Sequence, residues 1–289
     1  MSSFKLSNSL KQLLAINSHP PNLHQSKTFI PKLNQLISDF HQKATSQKLT
    51  SDTWIIFSTA AFVSLNRPSA LEPFWSCLKS NVHNQQDLIH SADVIRETGL
   101  KSISFIGIAK SINALNTFRT VVENEPNITS NLRLEPRRLP FSTDNSAQLI
   151  SQRALQTWKS IYRPLDERLI SKLSASHPDL PVHILHSHYG PLLSDPPSSP
   201  SPIGRIGTSL IAIGTLRASG ELGPQLLSHV YGLRKAGEEL AQVGEPSLGK
   251  GIEWLTSNEG TEWVIDSVDR LVSLTSYPDS GNQILNSKL

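Results

Sequence analysis

The residues able to do acid–base chemistry are few and widely spaced. His229 is the best proton acceptor by residue type, since an imidazole titrates near neutrality, and Glu97 is the second candidate. Arg96 and Arg217 carry forked donors that suit a carboxylate. Asn113 can donate to an oxyanion, and Tyr189 can line a pocket. Each also has a purely structural reading. A helical histidine is more often a hydrogen-bonded core or interface group, Arg96-Glu97 can be an ion pair between helices, and a tyrosine usually packs with its hydroxyl bonded.

Paired-cysteine chemistry is ruled out by counting. The chain has 1 cysteine, Cys77, so no internal disulfide, CxxC redox pair or cysteine-rich zinc site can form. Phe74, Trp75 and Leu78 surround it in sequence, which marks it as a buried small hydrophobe rather than a reactive thiol. Three histidines, His183, His186 and His188, lie close together. On an α-helix the first two share a face and the third points elsewhere, and no cysteine or paired carboxylate completes a shell, so we expect no metal there.

The elements that must position these residues are helices. The stretch 93–122 reads as two apolar-faced helices meeting at Gly107, a residue suited to the positive φ that ends a helix. Further helical spacing runs over 4–16, 29–46, 53–65, 69–82, 146–161, 203–218 and 257–274, with another helix opening at Pro224. Small residues at Gly207, Ala212, Gly214 and Ala218 permit close approach of a partner helix. Nothing alternates like a strand for long, and the fold class is all-α. We expect one domain, with a first half at 1–122, a linker at 123–145, a second half at 146–277 and a tail at 278–289. The arginines of the linker, Arg133, Arg137 and Arg138, read as solvated.

Arg96-Glu97 on one helix, the aromatic-x-Gly turn Phe105-Ile106-Gly107, and Asn113-Ala114 on the next helix form an order that resembles the carboxymuconolactone decarboxylase family and the related AhpD-like alkylhydroperoxidases. Phe105 stands where a tyrosine is common there, and Ala109 where a proline is common. The stretch 203–239 resembles the same family's most recognisable segment, with Leu226, Leu227, His229 and Gly237 at its marked positions and His188-Tyr189-Gly190 in the lead-in helix. The resemblance implies an AhpD-like fold of two related halves, an imperfect duplication. It excludes the peroxidase branch, whose two cysteines would fall at Leu222 and Gln225.

The decarboxylase branch needs neither thiol nor cofactor. The resemblance therefore implies a cofactor-free lyase acting on a small acidic or acyl metabolite, with His229 as general base, Glu97 as second carboxylate candidate and Arg96 or Arg217 as anion anchor. It predicts a helix-lined pocket holding His229 and at least one arginine, and homo-oligomers. The second half has Gly207-Thr208 where a glutamate would complete a repeated acid–base pair. The alternative is a non-catalytic oligomeric scaffold or binding protein.

Composition bounds the rest. Net charge is +3 over 289 residues, too small and scattered for a nucleic-acid partner. No apolar run reaches the ~18 residues needed to span a bilayer, which points to a soluble protein. The last residues, Ser287-Lys288-Leu289, match the peroxisomal-matrix address read by the import receptor. At the other end no acid precedes Asp39, and Leu6, Leu10, Leu13 and Leu14 form a stripe, as in mitochondrial presequences, although without arginine. A first helix of the globular domain is the simpler account of that stripe, with secondary mitochondrial targeting as the other.

Overall fold

Two helices without a polar face set the centre of the molecule. In the computed structural model, which describes residues 7–15, 23, 26–138, 144–195, 201–240 and 245–276, every residue of α3 (Asp52–Ser64) is buried. The helix α12 (Arg205–Ser219) is buried from Ile206 through Leu216 and again at Ala218. Helices apolar all round belong inside, and these two pack on each other. Their contact is close because the residues are small: a Cβ on Gly214 would lie 3.0 Å from Ala60 Cβ and 3.0 Å from the Phe57 carbonyl oxygen. The small residues expected to receive a partner helix thus receive α3 of the same chain.

Around this pair lie α2 (Phe29–Ser46), α4 (Leu71–Asn81), α5 (Gln85–Lys101), the short α6 (Ile103–Ile106) and α7 (Ile108–Glu123). Edge-to-face rings fill the spaces, as between Phe40 and Phe57 at 5.3 Å and Trp54 and Phe74 at 6.0 Å. The chain turns from α6 into α7 at Gly107 (φ +83°) and leaves α12 at Gly220 (φ +73°), two places where only glycine is unstrained. The remaining helices are α1 (Asn8–Ala15), α8 (Pro126–Thr129), α9 (Asp144–Tyr162), α10 (Asp166–Ser176), α11 (Asp179–His183), α13 (Gly223–Leu240), α14 (Ile252–Leu255) and α15 (Asn258–Ser276). Among the described residues there is no strand, only an isolated bridge between Leu49 and Gly249. Among the same residues no helix is long and apolar enough to cross a membrane.

Three features depart from expectation. First, α11 runs on as a π-helical segment over Ile184–Leu193 with Pro191 inside it. A proline removes a ladder donor and crowds the preceding turn, and a wider turn relieves both. The wider pitch brings His183 and His188 into edge contact at 5.3 Å, replacing the expected pairing of His183 with His186. Second, Arg137 and Arg138 are not solvated, because both are engaged in ion pairs described below. Third, Leu10 and Leu14 of α1, two members of the leucine stripe, are exposed rather than packed on the core. The tail with Ser287, Lys288 and Leu289 lies outside the described residues.

Candidate functional site

The molecule has a large core and a smaller apolar cluster of Ala154, Trp158, Ile161, Leu185, Tyr189 and Leu193, which joins α9 to the π-helical segment. Phe105 packs against both. At this seam a cavity of about 490 Å³ opens. Trp158, Leu169, Leu173, Ile184, Leu216 and Leu222 give it apolar walls, while Ser104, His188, Gln225 and Ser228 add uncharged polar groups. Lys172, exposed on α10, supplies a cation to the lining.

One wall carries a hydrogen-bonded chain of three side chains. The last turn of α9 brings Tyr162, the π-helical segment brings Tyr189 and the first half of α13 brings His229. The two hydroxyls are 2.6 Å apart, and Tyr162 Oη lies 3.2 Å from His229 Nε2. Trp158 packs at a tilt against Tyr162, ring centroids 4.1 Å apart, and Phe105 meets the His229 ring edge-on at 5.3 Å. Gly190 allows the segment to sit this close to α9, since a Cβ there would stand 2.6 Å from the Ile150 carbonyl oxygen.

All three members are neutral at physiological pH. Burial drives His229 down to about 3, with the positive charge of Arg205 adding to the effect. Burial raises Tyr162, and raises Tyr189 further. Three neutral groups bring three donor hydrogens to two bonds, so one hydrogen is spare whichever ring nitrogen of His229 is protonated. His229 Nδ1 is buried without a partner. Such a chain can present a donor to a bound oxygen and pass a proton along its length.

No family model, curated protein or solved structure matches this chain. The site therefore has to be read from its own geometry.

Of the residues singled out from sequence, His229 and Tyr189 meet at this cavity. Four others lie elsewhere. Arg217 makes a two-pronged pair with Asp269, both contacts at 2.6 Å. Asn113 donates to Asn66 Oδ1 at 3.0 Å on the surface. Arg96 donates to the Arg133 carbonyl oxygen at 3.1 Å. Glu97 accepts from Arg138 at 2.5 Å. Among the described residues lining the cavity there is no arginine, in contrast to the expected anion anchor. Tyr162, Trp158 and Lys172 had no signal in the sequence beyond helical spacing.

Glu97 belongs to a second polar cluster, and this one is ionic. Lys101, fully buried, donates to the carbonyl oxygens of Leu193 (3.1 Å) and Ile203 (3.3 Å) and pairs with Asp195 at 3.2 Å. Arg138 bonds Asp195 and the Leu192 carbonyl oxygen, each at 3.0 Å, as well as Glu97. Arg137 pairs with Asp93. The cluster clamps the end of the π-helical segment and so fixes where Tyr189 points. Cys77 lies in the core, its thiol near Asn34 Oδ1 and pushed up to about 11 by burial, the state of an inert thiol.

Proposed function

We propose that the cavity is the site of a cofactor-free lyase of the carboxymuconolactone decarboxylase-like kind, acting on a small acidic or acyl metabolite. The neutral Tyr189–Tyr162–His229 chain on its wall carries this reading. A base that is neutral down to about pH 3 is poorly matched to abstracting a proton at neutrality, so His229 acts as a member of the chain rather than as a free-standing general base. Decarboxylation next to a carbonyl needs no base. The bond to the carboxylate breaks, its electron pair moves onto the carbonyl oxygen as an enolate, and carbon dioxide leaves. The spare hydrogen of the chain bonds that oxygen, the chain then gives one proton to carbon, and solvent water replaces it, so the net reaction takes up one proton. Apolar walls such as Trp158 and Leu173 desolvate the departing carboxylate, and Lys172 can draw the substrate acid to the mouth.

The test is carbon dioxide release from a panel of small β-keto and lactone acids. We expect turnover that falls about 100-fold in Tyr162→Phe, the size of effect seen when one oxyanion donor is removed. Release at the uncatalysed rate across the panel would leave ligand binding as the function. That second reading, a binding protein with the same cavity, is favoured by the weak basicity of His229. An oligomeric form of it would use the exposed Leu227 and Tyr231 of α13, since the small residues of α12 are already covered by α3.

For location, Ser287-Lys288-Leu289 supports the peroxisomal matrix, with the import receptor as partner. A fluorescent protein fused ahead of the chain should give peroxisomal puncta that become diffuse when Leu289 is deleted. Mitochondrial signal from a fusion at the other end would support the leucine stripe near the start as a second address.

A further inference from the structure

A positive charge is fixed behind the hydrogen-bonded chain. Arg205, the first residue of α12, directs Nε to Ser160 Oγ (2.9 Å), Nη1 to Ser209 Oγ (2.6 Å), and Nη2 to the carbonyl oxygens of Ser160 (3.2 Å) and Gly232 (2.9 Å). All four acceptors are uncharged. Ser160 stands two residues before Tyr162, and Gly232 one helical turn beyond His229, so the guanidinium sits where α9, α12 and α13 meet, at the back of the chain. The fit is built: a Cβ on Gly232 would lie 3.5 Å from Arg205 Nη2 and 3.0 Å from Ile161.

Nearby acids answer this charge only at a distance. Glu239 and Glu245 act on Arg205 through space, and Glu245 is occupied in accepting from the Ile206 and Gly207 amides at 2.7 and 3.1 Å. A guanidinium already paired with a carboxylate would have little field left for its surroundings. One held by hydroxyls and carbonyl oxygens keeps that field: Arg205 adds to burial in lowering His229 and opposes it at the Tyr162 and Tyr189 hydroxyls, where burial is the larger effect.

We infer that Arg205 is a positioning residue that suits the chain end of the cavity to an anionic oxygen, an enolate or phenolate, rather than to a neutral carbonyl or ether. The inference rests on the cavity being the ligand site. The oxygen takes the spare hydrogen directly, and the Arg205 charge stabilises it through the polarised tyrosines. The ligand class that follows is a small, mostly apolar molecule whose buried end ionises to an oxyanion, such as the enolate left by decarboxylation or an acidic phenol.

Two probes separate these cases with the full chain: 4-nitrophenol, whose colour reports its ionisation, and the uncharged 4-nitroanisole. We expect 4-nitrophenolate to bind about tenfold more tightly than the un-ionised phenol, which equals a lowering of the bound probe's pKa by about one unit. The anisole should bind like the un-ionised phenol. Arg205→Gln should remove both the preference and the colour shift in the folded protein, while Arg205→Lys keeps part of each. A bound probe that stays un-ionised, or a preference that survives in folded Arg205→Gln, would overturn the inference. Should Arg205→Gln fail to fold, the wild-type colour shift and the Arg205→Lys variant decide. Leu173→Trp, which fills the cavity, should weaken both probes. Binding of the anisole alone overturns only the role of Arg205, whereas binding of neither probe, or binding unaffected by Leu173→Trp, overturns the cavity reading with it.

Discussion

The π-helical segment carries two polar clusters of opposite kind, one at its middle and one at its close. Tyr189, in its middle, joins a neutral chain with Tyr162 and His229 beside a cavity. At its close, the carbonyl oxygens of Leu192 and Leu193 are gripped by Arg138 and Lys101, which Asp195 and Glu97 balance. The neutral chain keeps a spare donor hydrogen and an unpartnered Nδ1. In the ionic cluster Lys101 spends its donors on two carbonyl oxygens and Asp195. Arg138 Nε is buried without a partner as well, so what separates the two clusters is charge and place: full charges grip carbonyl oxygens in one, and neutral groups line a cavity in the other. The segment thus hangs from the ionic cluster and offers Tyr189 to the cavity, and perturbing each cluster should have a different signature.

The largest effect should come from the ionic side. Lys101→Ala removes a fully buried cation, strips the Leu193 carbonyl oxygen of its side-chain donor and leaves Asp195 with only Arg138 and Ser201. Breaking a buried pair from one side typically costs about 3–5 kcal/mol, read by urea unfolding. Because Lys101 also anchors the end of the segment, 4-nitrophenol binding should weaken in any folded fraction, although Lys101 is not among the cavity's lining residues. Full binding in folded Lys101→Ala would separate the two clusters and break the comparison.

The neutral side should show itself through pH. Unfolded His229 takes a proton near 6.5 and folded His229 only near 3. Between these values the unfolded chain binds more protons, so this group's contribution to stability is present above about 6.5 and is lost as pH falls toward 3. The loss is about 4 kcal/mol over that window. His90 works in the opposite direction, since its bond to Asp52 raises it, so the informative quantity is a difference. Chemical denaturation across pH 7 to 4 should give a shallower acid loss in His229→Phe than in the wild type. Equal slopes would mean that His229 is not held neutral.

Much of this frame could be read from residue spacing. The all-α class follows from apolar periodicity, and Gly107 announced its turn because a helix stop followed by another apolar-faced helix needs positive φ there. His229 and Tyr189 stood out by residue type. The remaining site residues did not, for physical reasons. Tyr162 and Arg205 lie 67 and 24 residues from His229 along the chain, and only packing of α9, α12 and α13 brings them together. Arg137 and Arg138 looked solvated because their partners, Asp93, Glu97 and Asp195, lie far away in sequence. The segment over 184–193 scans as an α-helix, and the wider turn around Pro191 that pairs His183 with His188 is decided by tertiary fit against α9. Residue type found donors and acceptors; which of them were already spent was a question of contacts.

A smaller effect is expected from the middle of the neutral chain. Tyr162→Phe keeps the ring packed against Trp158 while removing both bonds, so Tyr189 Oη and His229 Nε2 lose a buried partner. The cost should be about 1–3 kcal/mol, less than for Lys101→Ala, because no charge is stranded. Thermal unfolding gives the stability. The phenolate-to-anisole preference gives the function, and it should fall in Tyr162→Phe even where stability is restored by lower temperature.

The smallest effects should fall on residues that sequence marked for chemistry and the fold placed elsewhere. Arg217 and Asp269 form a well-aligned pair, but their side chains remain 42% and 32% exposed, where solvent and salt weaken the attraction. Arg217→Ala should cost less than about 1 kcal/mol, shrinking further as salt is added. Asn113→Ala, which loses one surface contact to Asn66, should stay within about 0.5 kcal/mol. Neither change should alter 4-nitrophenol binding or turnover of any acid found to react, because neither side chain lines the cavity. If Arg217→Ala abolished turnover with stability intact, the anion anchor inferred from residue order would outrank the observed geometry, and the site would have to be sought at the exposed end of α12 rather than at the seam beneath Tyr189.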